Sequence, residues 1–258
     1  RRVAYVDCDV EEPNGHIFLK PQIASSAAVN LLVPSVDEAA CTACGRCGEV
    51  CEFHAIVSFR TAPLVFAELC HGCGGCARAC PTGAIVETAS RIGAVDVGHG
   101  SGIDVVQGTL DVGRPMSPPV IRAVKQHAAD DAVNVLDCPP GTSCPVVTAV
   151  RGSDYVVLVT EPTPFGHHDL LIAIETVRAL GCPFGVVVNR SDIGDDRVLR
   201  TCRDEKIEVL LEIPEDRRIA EAYSRGELAG EEIPELARLF DALAERVLAL
   251  CARGERDE

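Results

Sequence analysis

Eight of the 14 cysteines in this 258-residue chain fall between Cys41 and Cys80, in two runs of identical spacing. Cys41-x2-Cys44-x2-Cys47-x3-Cys51 is followed by Cys70-x2-Cys73-x2-Cys76-x3-Cys80. Clustering at short fixed intervals is the mark of metal ligation rather than of a disulfide framework. Three cysteines at two-residue gaps can wrap one face of a cubane iron–sulfur cluster, and intervening glycines let backbone amides point at the sulfurs. Zinc and disulfides are the alternatives. Zinc sites favour paired C-x2-C units separated by a longer loop, not three cysteines within seven residues.

The second run repeats the first at an offset of 29 residues for all four cysteines, and the repeat continues through Ala55-Ile56-Val57 and Ala84-Ile85-Val86. A unit repeated in this way predicts a small pseudo-symmetric domain with two equivalent sites. The runs resemble the two-cluster bacterial ferredoxin module, in which the fourth cysteine of each run ligates the other cluster. The resemblance implies one [4Fe-4S] cluster on Cys41, Cys44, Cys47 and Cys80 and another on Cys70, Cys73, Cys76 and Cys51. Pro81 follows Cys80 as that motif expects, whereas Glu52 replaces the proline after Cys51. The remaining cysteines Cys8, Cys182, Cys202 and Cys251 read as small hydrophobes. Cys138 and Cys144 stand beside a second candidate site.

That second site is a set of polar residues at the ends of apolar strands. Val3 to Val6 leads into Asp7-Cys8-Asp9, and Val133 to Leu136 leads into Asp137-Cys138-Pro139-Pro140-Gly141. Phe184 to Val188 ends at Asn189, and Ile213-Pro214 follows the apolar run 207–211. Open α/β sheets hold ligands beyond the carboxyl ends of their strands, and an aspartate there can hold Mg²⁺ in the manner of a Walker B residue. Strand-terminal aspartate also serves simply to cap a turn.

Val6 to Asn14, Leu136 to Pro145 and Val187 to Arg190 resemble the MinD/ParA group of deviant-Walker P-loop ATPases, in the branch that carries an inserted ferredoxin domain. The resemblance implies that Asp137 holds Mg²⁺, Asp9 orients the attacking water and Asp7 supports the metal shell. It implies further that Asn189 reads adenine, Gly141 senses the γ-phosphate and Pro214 lies in the same nucleotide site. ATP with Mg²⁺ would then join the two clusters as cofactor. The group's Gly-rich Walker A loop precedes its Asp-x-Asp strand, yet no G-x-x-x-x-G-K-[S/T] occurs among these residues, and Lys20, Lys125 and Lys206 lie in no Gly-rich loop. With Arg1 standing two residues before that strand, the expectation is a truncated chain, the alternative being a lineage that lost ATP binding. ATPase activity is expected of a full-length form and not of these residues alone.

The elements that must position these residues follow from hydrophobic patterning. Strands at 3–6, 133–136, 155–160, 184–188 and 207–211 alternate with amphipathic runs at 118–129, 168–180 and 195–205, predicting a mostly parallel, doubly wound α/β sheet. Residues 93–97 and 103–110 predict an added hairpin, 233–252 a docked helix, and 253–258 a frayed tail. The domain reading is 1–33 as the first part of the ATPase fold, 34–90 as the ferredoxin-like α+β insertion, and 91–258 as the remainder. His167-His168-Asp169 reads as the opening of a helix rather than a metal site.

Hydrophobic residues make up 47%, which supports a real core. A formal charge of −15, from 39 acidic against 24 basic residues, argues against nucleic acid as partner. No apolar run has the length to cross a bilayer and no signal peptide opens the chain, so a cytoplasmic protein is expected. The functional expectation is an iron–sulfur protein that couples ATP to electron transfer or metallocofactor assembly, with a redox or assembly protein as partner and an ATP-dependent homodimer or paired homologue as its form. A cluster carrier or scaffold, or an electron-transfer module without ATPase activity, are the alternatives.

Overall fold

The structure is a computed structural model that describes residues 1–254. In chain order its elements are β1 (Val3–Asp7), α1 (Gly15–Leu19), β2 (Gln22–Val36), α2 (Arg46–Glu49), β3 (Ile56–Val57), β4 (Leu64–Val65), α3 (Gly75–Ala79), β5 (Ile85–Gly100), β6 (Ile103–Leu110) and α4 (Pro118–Lys125). These are followed by β7 (Val133–Asp137), α5 (Cys144–Val150), β8 (Val156–Thr160), α6 (Pro164–Ala179), β9 (Phe184–Asn189), α7 (Arg197–Asp204), β10 (Val209–Ile213), α8 (Arg217–Ser224), α9 (Ala229–Glu232) and α10 (Pro234–Gly254). The chain divides into two compact units, residues 1–13 with 21–137, and residues 14–20 with 138–258.

The first unit is built on a five-stranded sheet in the order β2-β5-β6-β1-β7. β1 pairs in parallel with both β6 and β7, whereas β5 pairs antiparallel with both β2 and β6. The hairpin at 93–110 is therefore not an appendage: its second strand lies inside the sheet against β1. Helix α4 opens on Pro118-Pro119, whose fixed φ suits a first helical turn. It buries Val120, Ile121 and Val124 completely, each worth roughly 1.5–3 kcal/mol relative to exposure. Gly108 on β6 permits that packing, since a Cβ there would meet side chains of Val10 and Val124 at 2.5 Å.

β2 was not visible in the sequence as a strand. It pairs with β5 from Gln22↔His99 to Val36↔Ile85, and residues 37–84 emerge between the paired ends at Val36 and Ile85. There the elements are short and the core is small: Cys47, Ile56 and Ile85, with Val36, Val65 and several cysteines around them.

The second unit carries a three-stranded parallel sheet, β10-β9-β8. β9 is its buried centre. Val186 and Val188 face Leu170 and Ile174 of α6 and Val198 and Cys202 of α7. Val187 points the other way, into a cluster with Ile213, Ile233 and Leu236, as the two-residue strand period requires. Helix α6 begins at Pro164 with Thr163 accepting from the Gly166 N–H at 3.0 Å. His167-His168-Asp169 accordingly lies inside the helix rather than opening it, and His167 Nε2 pairs with Thr201 Oγ1 at 2.8 Å. The last predicted strand shifts to Val209–Ile213. α10 reaches Gly254, so the tail reading fails for its first two residues and otherwise falls on 255–258, outside the described residues.

Candidate functional site

The cysteine repeat of the sequence is also a repeat of backbone conformation. Ala43 and Gly72, Gly45 and Gly74, and His54 and Gly83 are each 29 residues apart. All six have positive φ, at 53 and 63°, 82 and 70°, and 52 and 67°. Gly45 and Gly74 cap the short helices α2 and α3. The left-handed turns at 43 and 72 point equivalent amides at equivalent sulfurs: Ala43 N–H donates to Cys41 Sγ and Gly72 N–H to Cys70 Sγ, both at 3.4 Å.

Two hollows lie in this module, of about 370 and 400 Å³ with their open mouths included. Cys41, Cys44, Cys47 and Cys80 line the first, and Cys51, Cys70, Cys73 and Cys76 line the second. Each thus draws three cysteines from one run and the last from the other. Cys44 and Cys73 are exposed while Cys47 is buried. Burial pushes the Cys76 thiol up, and Cys70 and Cys73 push it the same way. No disulfide joins any of the cysteines. Among the described residues, no three His, Cys, Asp or Glu side chains converge on one point as a mononuclear metal site requires. Four sulfurs set around a cavity are the donor set of a polynuclear cluster.

Two hydroxyls that the sequence reading passed over reach the first hollow. Ser58 Oγ lies 3.5 Å from Cys47 Sγ and donates to the Gly45 carbonyl at 3.2 Å. Thr82 Oγ1 lies 3.7 Å from Cys80 Sγ, and its hydrogen bond holds the Cys80 thiol below the ordinary cysteine range. In the second hollow, His71 stacks on Phe53 with centroids 3.6 Å apart and planes 6° from parallel.

The acidic strand ends all lie in the first unit. Asp7 and Asp137 are direct neighbours across β1 and β7. Asp7 is 1% exposed, and its Oδ1 accepts from the Asp9 N–H at 3.2 Å. Burial raises the carboxyl pKa of Asp9; repulsion from Asp137, Glu11 and Glu12 adds to the rise and a hydrogen bond from the Glu12 backbone opposes it. Tyr5 was also overlooked. Its hydroxyl donates to Asp137 Oδ2 at 2.5 Å, and burial followed by that bond pushes its pKa up. The available signal was its position two residues before Asp7, hence on the same face of β1. Gly141, Asn189 and Pro214 belong to the second unit. Gly141 has φ +92°, and Asn189 pairs with Ile213 where β9 and β10 end, just before Pro214.

Residues 40–85 match the 4Fe-4S dicluster domain family. Over 229 residues the chain is 28% identical to the uncharacterized protein MJ0579 of Methanocaldococcus jannaschii, covering 88% of this chain and 80% of that protein. Over 197 residues it is 30% identical to the uncharacterized protein MJ0578 of the same organism, covering 75% and 69%. The septum site-determining protein MinD of Pyrococcus horikoshii, solved with Mg-ADP, matches the fold with a TM-score of 0.52 at 20% identity, over 96% of this chain and 83% of that one. No helix among the described residues is long and apolar enough to cross a membrane. The chain belongs to the same family as MJ0578 and MJ0579, and is an iron–sulfur protein in which a [4Fe-4S] ferredoxin domain is set into a MinD/ParA-type α/β fold.

Proposed function

We propose that the protein is a two-cluster redox protein on a nucleotide-binding fold. One [4Fe-4S] cluster rests on Cys41, Cys44, Cys47 and Cys80, the other on Cys70, Cys73, Cys76 and Cys51. The observation that carries this reading is the crossed lining of the two hollows, each with a full set of four cysteines. Bound there, the clusters supply one-electron redox chemistry. The chain's own part is to orient the thiolates and to aim the Ala43 and Gly72 amides at sulfur. Asp7, Asp9 and Asp137 support a Mg²⁺-nucleotide role through which nucleotide binding is coupled to electron transfer or metallocofactor assembly, with an ATP-dependent dimer as the working form. A cytoplasmic setting suits the reduced thiols that such clusters need.

The test is metal content. Anaerobically purified protein should carry about eight irons and eight sulfides, as two four-iron clusters require. Stoichiometric zinc with little iron would exclude the reading. Cys51→Ala should damage the cluster on Cys70, Cys73 and Cys76, and loss of the other cluster instead would overturn the crossed ligation. Exposure of Cys44 and Cys73 favours a second reading, in which the clusters are cargo. Rapid transfer to an apo-acceptor protein would select it.

A further inference from the structure

The 29-residue repeat equates Ser58 with Glu87 and Thr82 with Phe53. Ser58 and Thr82 both line the first hollow, whereas Glu87 and Phe53 both line the second. The backbone of the two halves is matched turn for turn, and these two pairs are, with Thr42 and His71, lining positions at which the halves part chemically.

We propose that the two clusters are unequal, and that the hollow of Cys41, Cys44, Cys47 and Cys80 holds the one of higher reduction potential, because Ser58 and Thr82 hydrogen-bond its sulfurs where the second hollow presents Glu87 and Phe53. This rests on the two-cluster reading above. Reduction adds one negative charge to a cluster already ligated by thiolates. Hydrogen bonds to the sulfurs, net local charge and solvent exposure set how well that charge is tolerated.

In the first hollow two hydroxyls stand beside ligand sulfurs. Ser58 has one proton and two acceptors in reach, the Gly45 carbonyl at 3.2 Å and Cys47 Sγ at 3.5 Å. A ligating thiolate is acceptor only, and bonds to ionised acceptors are the stronger ones. Reduction therefore draws the Ser58 proton toward Cys47 Sγ. Thr82 does the same at Cys80 Sγ, 3.7 Å away. In the second hollow the Glu87 carboxylate comes up against Gly74, where a Cβ would lie 3.3 Å from its Oε1, between Cys73 and Cys76 in sequence. Its charge opposes an added electron. The Phe53–His71 stack forms part of the same wall and offers no hydroxyl where the first hollow has Thr82.

The experiment is a dithionite titration of the whole chain followed by electron paramagnetic resonance at one fixed pH, after iron and sulfide have been counted. Two one-electron steps are expected, separated by more than tenfold in the reduction equilibrium, about 59 mV for one electron. Equivalent clusters would also split by mutual repulsion, so the variants decide. Ser58→Ala with Thr82→Val should lower the upper step, and Glu87→Gln should raise the lower step, each narrowing the gap several-fold. Glu87→Gln keeps size and removes charge, and so carries the comparison where the hydroxyl variants lose iron. Eight irons with a gap that neither change narrows would overturn this inference alone. Fewer than eight irons in the parent protein would overturn the two-cluster reading and this inference with it.

Discussion

At residue scale, the cluster module places side-chain-bearing residues at two of the three left-handed positions in one half and glycine at all three in the other. Ala43 and His54 occupy φ 53 and 52°, where the second half has Gly72 and Gly83. Left-handed backbone costs a residue with a Cβ about 1–2 kcal/mol. Both Ala43 and Gly72 aim an amide at a cysteine sulfur, which explains why the turn is kept in spite of that cost. The two positions should respond unequally to substitution. Gly72→Ala adds the backbone penalty, and its Cβ would also come within 2.6 Å of the Leu31 side chain. A loss of about 2 kcal/mol or more is expected. Ala43→Gly relieves the same strain but adds about 0.5–1 kcal/mol of backbone entropy, and should stay within about 1 kcal/mol of the parent protein. Anaerobic chemical denaturation of the iron-loaded protein measures both. Equal destabilisation by the two substitutions would contradict the strain argument.

At the scale of elements, residues 37–84 have little to hold them besides their ligands. α2 has four residues, α3 has five, and β3 and β4 have two each. Cys47, Cys51, Cys76 and Cys80 are four of the nine residues in their core cluster. A module of this size lacks the buried apolar area to fold alone, so metal binding is folding free energy. Stripping the clusters with a chelator and an oxidant should open 37–84 to protease while β1, β6 and α4 keep their amide protection. Simultaneous loss of protection in β1 and in the module would show one cooperative unit instead. The cysteine module was legible because ligand spacing is local, a property of seven to eleven consecutive residues. The strands β1, β7, β8 and β9 were legible because apolar runs between turns have few other uses. β2 was not: Ala24-Ser25-Ser26-Ala27-Ala28 is small, exposed and without alternation, and its conformation comes from pairing with β5, whose partners lie 49 (Val36↔Ile85) to 77 (Gln22↔His99) residues away. Ser58 and Tyr5 escaped for the same reason, since their partners Cys47 and Asp137 are set by reach in space, whereas Thr82 lies only two residues from its partner Cys80. The offset of 29 did hold a signal for the hydroxyls, carried by the positions at which the two copies differ.

At the scale of the whole molecule, charge and sheet edges decide what the nucleotide half can do. Asp7, Asp9 and Asp137 gather at the carboxyl ends of β1 and β7, with Glu11 and Glu12 close enough to raise the Asp9 pKa further. The chain as a whole carries −15. Such an edge attracts a divalent cation and repels a triphosphate. In this type of fold the repulsion is met by a Gly-rich loop whose backbone amides, helix N-terminus and lysine cradle the phosphates. None of the three lysines of these 258 residues stands in such a loop. β7 ends its sheet among the described residues, with Val135 50% exposed on it, and β8 ends the other sheet, with Val159 67% exposed. Parallel strands are normally covered on both faces, so β7 and β8 each carry a face left under-covered for strands of their type. The 258 residues should therefore bind Mg²⁺-ATP weakly and turn it over undetectably by calorimetry and phosphate release. Fusing a strand, Gly-rich loop and helix ahead of residue 1 should bring Mg²⁺-dependent binding. In that fusion, Asp9→Ala should remove turnover with binding largely kept, whereas Asp137→Ala should weaken binding itself, because Asp137 alone of the two would face the metal. Micromolar ATP binding by the unextended chain would mean that some other group neutralises the phosphates, and the electrostatic account of this edge would fail.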